Sequence, residues 1–120
     1  MSFFRWSIYR ANLDPVVGSE QGKSRPVLVI SDNEINELLS VVNVLPITSR
    51  KNRRQIYPNE ALLESEFSGL PNESIVLCYQ IRTLDKLRLS SKLGEVLSES
   101  KQNEILAALC FQLGIDDVKL

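Results

Sequence analysis

Two strand-forming runs joined by a polar, glycine-bearing loop constrain this chain more than any other feature. Ser7–Leu13 alternates in polarity and carries Ile8, Tyr9 and Leu13, so it reads as a strand. Arg25–Ser31 (RPVLVIS) is a β-branched run and reads as another, with Pro26 suited to an edge position or a strand start. Between them lies Asp14–Ser24, marked as a flexible loop by Asp14-Pro15, Gly18 and Gly22. It is long for a hairpin, and loops held on strands are where function concentrates.

The rest of the chain continues the pattern. Asp32–Leu39 suits a short helix with Asp32 as N-cap. Val41–Thr48 (VVNVLPIT) suits a strand bent or edged at Pro46, and Ser49–Pro58 a polar loop. The acidic stretch Asn59–Glu73 suggests a helical turn at Glu60–Phe67 and a turn at Gly69–Asn72. Ser74–Leu84 (SIVLCYQIRTL) reads as the longest strand, and Ser90–Val96 as one more. Lys101–Leu113 is a helix with Ile105, Leu109 and Leu113 on one face and Gly114 at its end. Short strands plus a terminal helix describe a mainly β, strongly curved sheet closed by a helix. Pattern alone does not choose between an SH3-like and an OB-like barrel.

At 120 residues the chain is expected to form a single domain, 1–120. No apolar run approaches the roughly 20 residues of a membrane span. Met1–Ala11 mixes charges among its apolar residues, unlike a signal peptide. The default location is cytoplasmic, with no membrane partner. Cys78 and Cys110 both sit in apolar runs and read as free buried thiols. With no CxxC and no histidine, neither a disulfide nor a metal site is expected.

The net charge of −1 hides an asymmetry. Residues 1–54 hold eight Lys/Arg against five Asp/Glu, and residues 55–120 hold six against ten. A near-neutral total therefore permits a basic face for phosphates. Arg50-Lys51-Asn52-Arg53-Arg54 places four cations in five residues. It reads as a solvated loop or as an anion-binding one. The aromatics Phe3, Phe4 and Trp6 suit a core, a partner surface or base stacking.

Without histidine, triad and paired-histidine nuclease chemistry is excluded. Any chemistry must rely on Arg, Lys, Thr, Ser, Tyr or isolated Glu/Asp, a set best suited to positioning and charge stabilisation. Arg25 is either a solvated strand-end arginine or a phosphate clamp, its planar fork matching phosphate oxygens. Thr48 either caps a turn at its strand end or donates its hydroxyl to a ligand. Glu20, Gln21 and Lys23 would ordinarily be solvated loop residues.

The segments DPVVGSEQGKSRPVLVIS (14–31), LPITS (45–49), QIRTLDKLRL (80–89) and LGI (113–115) resemble the MazF/PemK family of toxins in order and spacing, across nearly the whole chain. The resemblance implies an SH3-like barrel of the MazF/PemK/CcdB type with a C-terminal helix, assembled as a homodimer. It implies a sequence-selective, metal-independent endoribonuclease without cofactor. Such an enzyme cuts single-stranded RNA (mRNA) by attack of a ribose 2′-hydroxyl, leaving 2′,3′-cyclic phosphate and 5′-hydroxyl ends, and is neutralised by a cognate antitoxin. Arg25 then corresponds to the catalytic arginine and Thr48 to a second catalytic residue. Glu20, Gln21 and Lys23 lie in the loop beside the site, Glu20 being a candidate proton acceptor. Ser49, Arg50, Lys51, Arg53 and Arg54 fall where relatives contact RNA and antitoxin, and Tyr79 and Gln80 beside the RNA path.

Two departures from the family pattern stand out. Many members begin with Arg-Gly-Asp-Ile/Val-Tyr, where this chain has Arg5-Trp6-Ser7-Ile8-Tyr9. Many carry an acid before the glutamine matching Gln80, where this chain has Tyr79. An acid-mediated proton transfer at that position is closed to it, and stacking on a base is open. The alternatives are a non-catalytic module like the CcdB-type toxins, which act by binding gyrase, and an inactive homologue acting through protein partners.

Overall fold

The computed structural model describes residues 2–116. Among them run strands β1 (Ser7–Asn12), β2 (Ser24–Val29), β3 (Val41–Ser49), β4 (Glu60–Leu63), β5 (Ser74–Leu77), β6 (Arg82–Asp85) and β7 (Leu89–Glu95). The helices are α1 (Asn33–Leu38), α2 (Ser65–Ser68) and α3 (Glu99–Leu113). All strand pairs are antiparallel, in the order β4-β5-β3-β2-β1-β7, with β6 beside the first half of β3. This is the mainly β, curved sheet with a C-terminal helix that the sequence implies.

Both faces of the central strands are covered, which is why RPVLVIS reads as a continuous apolar run rather than an alternating one. Leu28 and Ile30 join Ile8, Leu45, Ile47, Val76 and Ile105 in one core. Val27 and Val29 join Tyr9, Leu13, Val44 and Leu84 in the other. Asp32 caps α1 through Glu34 N–H, as its position predicts. Gly114 ends α3 in the left-handed region, with Ile115 N–H bonded to Cys110 O.

Two expectations are corrected. The helical turn read at Glu60–Phe67 is β4 followed by the single turn of α2. The pairing of β4 with β5 buries Ala61 and Leu63 and overrides the local acidic composition. The long strand read at Ser74–Leu84 is two strands, interrupted by a 3₁₀ turn at Cys78–Gln80. β5 pairs Val76 with Ile47, and continuing that register would set Tyr79 opposite Val44. Arg82 stands there instead, so three residues are extruded between β5 and β6.

No β4–β7 ladder closes the sheet among the described residues. The seam is filled by contact. α3 lies on β4, where the buried ammonium of Lys101 donates to Leu62 O (3.0 Å), meets Glu64 and Glu104 at 2.8 and 2.7 Å, and faces the Phe67 ring. Burial opposes that charge, but Glu104 and Glu64 outweigh it and hold the Lys101 pKa above the ordinary lysine range. On the other side, Gly94 of β7 presses against α2 so closely that a Cβ would collide with Ser68 O.

Of the N-terminal aromatics, Phe3 packs edge-on to Tyr9, Phe4 is exposed, and Trp6 packs partly buried against the first core. Trp6 takes a left-handed φ of 71°. It stands where the resemblance places glycine. Its N–H donates to Val29 O and its carbonyl accepts from Val96 N–H, so this one residue ties β2 to the end of β7. A left-handed bulky residue costs about 1–2 kcal/mol, which the packed indole and the Arg5 guanidinium 5.2 Å above it help to offset.

Candidate active site

Arg25 and Thr48 come to one hollow at the end of the β2–β3 ladder. Its last pair is Val27 with Pro46, and each of the two residues lies two positions beyond it, on the same side of its strand as that pair. Both line an open polar hollow of about 440 Å³, together with Gln21, Ser49, Lys51, Arg54, Leu77 and Tyr79. Arg25 Nε donates to Gly22 O at 2.9 Å, and no hydrogen bond engages its terminal nitrogens among the described residues. A half-buried guanidinium braced at Nε and open at its fork is suited to holding a phosphate.

The Asp14–Ser24 loop, expected to be flexible, is heavily bonded. Asp14 Oδ1 accepts from Lys23 N–H at 2.8 Å, and Leu13 N–H donates to Lys23 O. Glu20 Oε1 accepts from Val17 N–H at 2.6 Å, so this carboxylate closes a turn of its own loop. Glu20 lines a neighbouring hollow with Tyr79 and Gln80, not the one holding Arg25. Gln21 has its Oε1 buried without a hydrogen-bond partner at the hollow's wall. Lys23 is exposed, with a φ of 64°, and lies outside the hollow's lining. Tyr79 lines both hollows and is 41% exposed.

The four cations of 50–54 divide into two kinds. Arg50 braces its own loop, donating from Nε to Arg54 O at 2.9 Å, with its fork 3.7 Å from Glu73. Arg54 forms a bidentate pair with Glu60, at 2.9 and 2.8 Å. Lys51 and Arg53 are exposed, and neither makes an ion pair among the described residues. Glu60 was not singled out by sequence reasoning; its signal was an acidic residue amid the apolar β4 run EALL. Its side chain is only 3% exposed. The Arg54 hydrogen bond holds its carboxyl below the usual range, against burial and with help from Tyr57 N–H. A lowered folded pKa stabilises the fold above the ordinary value of 4.5, and that contribution is lost as pH falls through the folded value. Glu60→Gln should therefore lower Tm at neutral pH, with the gap to wild type shrinking below about pH 4.5. Thermal unfolding between pH 3 and 7 measures this, and a gap that grows in acid would refute the assignment.

Next to the hollow, Arg54 and Tyr79 also border a more apolar groove that includes Tyr57 and Phe111. Cys78 is buried, its thiol pushed up to about 12 by desolvation and, secondarily, by Glu60. Among the described residues no group of three His, Cys, Asp or Glu side chains could hold a metal ion, and no helix is long and apolar enough to cross a membrane.

The chain is similar over most of its length to several solved structures. MazF of Deinococcus radiodurans is 28% identical, with 95% of this chain and 98% of that chain covered and a TM-score of 0.79. An endoribonuclease from Mycobacterial species, solved in complex with its cognate antitoxin, is 26% identical, with 95% and 97% covered and a TM-score of 0.76. A MazE–MazF structure from Deinococcus radiodurans is 28% identical, with 97% and 99% covered and a TM-score of 0.74. This likeness selects the SH3-like toxin barrel over the OB-like alternative. The family of PemK-like, MazF-like toxins matches residues 4–113, and the chain belongs to that family of type II toxin–antitoxin toxins.

Proposed function

We propose that this protein is a sequence-selective endoribonuclease toxin that cuts single-stranded RNA in the cytoplasm, works as a homodimer and is neutralised by a cognate antitoxin. The observation that carries the reading is the pairing of Arg25 and Thr48 in one polar hollow, with the arginine's fork unbonded. In the reaction, a ribose 2′-hydroxyl gives up its proton to solvent and its oxygen attacks the adjacent phosphorus. The bond to the 5′-oxygen breaks, and that oxygen leaves as a hydroxyl after taking up a proton. A 2′,3′-cyclic phosphate remains. Arg25 holds the non-bridging oxygens and stabilises the charge that grows on them, and the Thr48 hydroxyl donates to the same group. Tyr79 offers a ring on which a neighbouring base stacks.

The test is to map the ends produced on one long RNA, with and without EDTA. New 5′-hydroxyl ends at a recurring short sequence, unchanged by EDTA, are expected. No cleavage, or cleavage abolished by EDTA, refutes the reading.

Further phosphate contact falls to Lys51, which lines the hollow, and to Arg53 outside it, since Arg50 and Arg54 are committed to protein partners. Changing Lys51 and Arg53 together to serine should weaken RNA binding and flatten the slope of log affinity against log salt by up to about two units. The cleavage sequence should stay the same, because phosphate contacts position and base contacts specify. A salt titration with a non-cleavable RNA reads the slope, and an unchanged slope returns these two residues to plain solvated surface.

A further inference from the structure

Gln80 lies in the turn between β5 and β6 and does not line the hollow that holds Arg25. Its carboxamide spans the loop opposite: Nε2 donates to Ser19 O at 3.1 Å and Oε1 accepts from Gln21 N–H at 3.3 Å. The carbonyl of the next residue, Gly22, is the one that accepts from Arg25 Nε. A path of two residues therefore joins the Gln80 amide to the Arg25 guanidinium.

That path has no slack. A Cβ on Gly22 would stand 2.7 Å from Asp14 Oδ1 and 2.9 Å from a Val16 methyl. The base of the loop is fastened as well. Arg82 donates to Leu13 O at 2.9 Å, and Arg88 to Asn12 O and Asp14 O at 3.1 and 2.6 Å. The loop is thus clamped at its base by two guanidiniums and at its middle by one amide. An arginine braced at Nε has the plane of its fork fixed by whatever holds the brace, and here that is Gly22 O.

We propose that Gln80 is a positioning residue for Arg25: by bonding both Ser19 and Gln21 it fixes the Gly22 carbonyl, which sets the plane of the guanidinium that meets the scissile phosphate. The kinetic part of this inference rests on the ribonuclease reading, and the structural part does not. A misplacement on the order of 1 Å at a reacting centre costs up to about 10²-fold in rate.

The test is a cycle of variants read by both kinetics and NMR. Gln80→Leu should lower kcat by roughly 10-fold or more with KM little changed. Gln80→Glu, which keeps the acceptor for Gln21 N–H, should recover part of the loss. In an Arg25→Ala background Gln80→Leu should cost almost nothing further, because its effect passes through the arginine. Gly22→Ala should reproduce the same kinetic signature, and it carries the test if Gln80→Leu does not fold. In labelled protein, the Arg25 Nε proton should be protected from exchange and should lose that protection in Gln80→Leu. A raised KM at unchanged kcat, a full additional loss in the Arg25→Ala background, or unchanged exchange at Nε overturns the proposal. A wild-type protein that cleaves no RNA overturns the ribonuclease reading, and the Nε exchange then decides this one.

Discussion

Replacing Arg25 with alanine should slow RNA cleavage by at least roughly 10²-fold, the scale of removing one preorganised donor from a charge-stabilising site. The protein should fold as before, because the side chain is half-buried and its one hydrogen bond among the described residues is to Gly22 O. Arg25→Lys should restore little. An ammonium can neutralise charge, but it cannot be braced at one nitrogen while presenting a planar fork with two others. Thr48→Val, which keeps the strand-favouring shape and removes the hydroxyl, should cost less than Arg25→Ala. Single-turnover cleavage of one mapped RNA compares all three. A folded Arg25→Ala protein that cuts at the wild-type rate would remove Arg25 from the chemistry.

The largest expected loss of stability comes from Gly94→Ala. A Cβ there collides with a backbone carbonyl, Ser68 O, and with no flexible side chain that could swing away. β7 and α2 must separate for the methyl to fit. Overpacking of this kind costs about 3 kcal/mol, which lowers Tm by roughly 10 °C in a domain of this size. Differential scanning calorimetry at pH 7 measures it. Because Gly94 sits at the seam where no ladder closes the sheet, the damage should appear as faster amide exchange in β7 and α2 before global unfolding. A Tm within about 2 °C of wild type would show that the seam is slack.

What could be read from the sequence followed from how local its cause was. RPVLVIS announced a strand because a short run rich in β-branched residues suits a pleated, buried surface, and its two-sided burial explains the lack of alternation. Asp32 and Gly114 marked helix ends through capping chemistry confined to a few residues. Ser74–Leu84 could not be divided correctly, because the break between β5 and β6 is set by separate registers against β3, and those involve residues about 30 to 40 positions away. The candidate site shows the same division. Residue types and order pointed to Arg25 and Thr48. That two of the four cations in 50–54 are spent on Glu60, Glu73 and loop carbonyls depends on where β4 and the residue before β5 fall in space. The same holds for Lys101, an ordinary helix lysine in the sequence and a buried clamp on β4 in the fold.

The three residues extruded between β5 and β6 divide their tasks by direction. Cys78 turns inward and plugs the core, Tyr79 turns outward over two hollows, and Gln80 reaches sideways to the loop. The ladders on either side are pinned independently, by Val76 against Ile47 and by Leu84 against Val42. The middle residue therefore belongs to neither ladder and bears no part of the sheet's register. Its side chain could be exchanged for one of different chemistry while the register of both ladders stayed in place, so the lining of the hollows and the architecture of the barrel are set independently here.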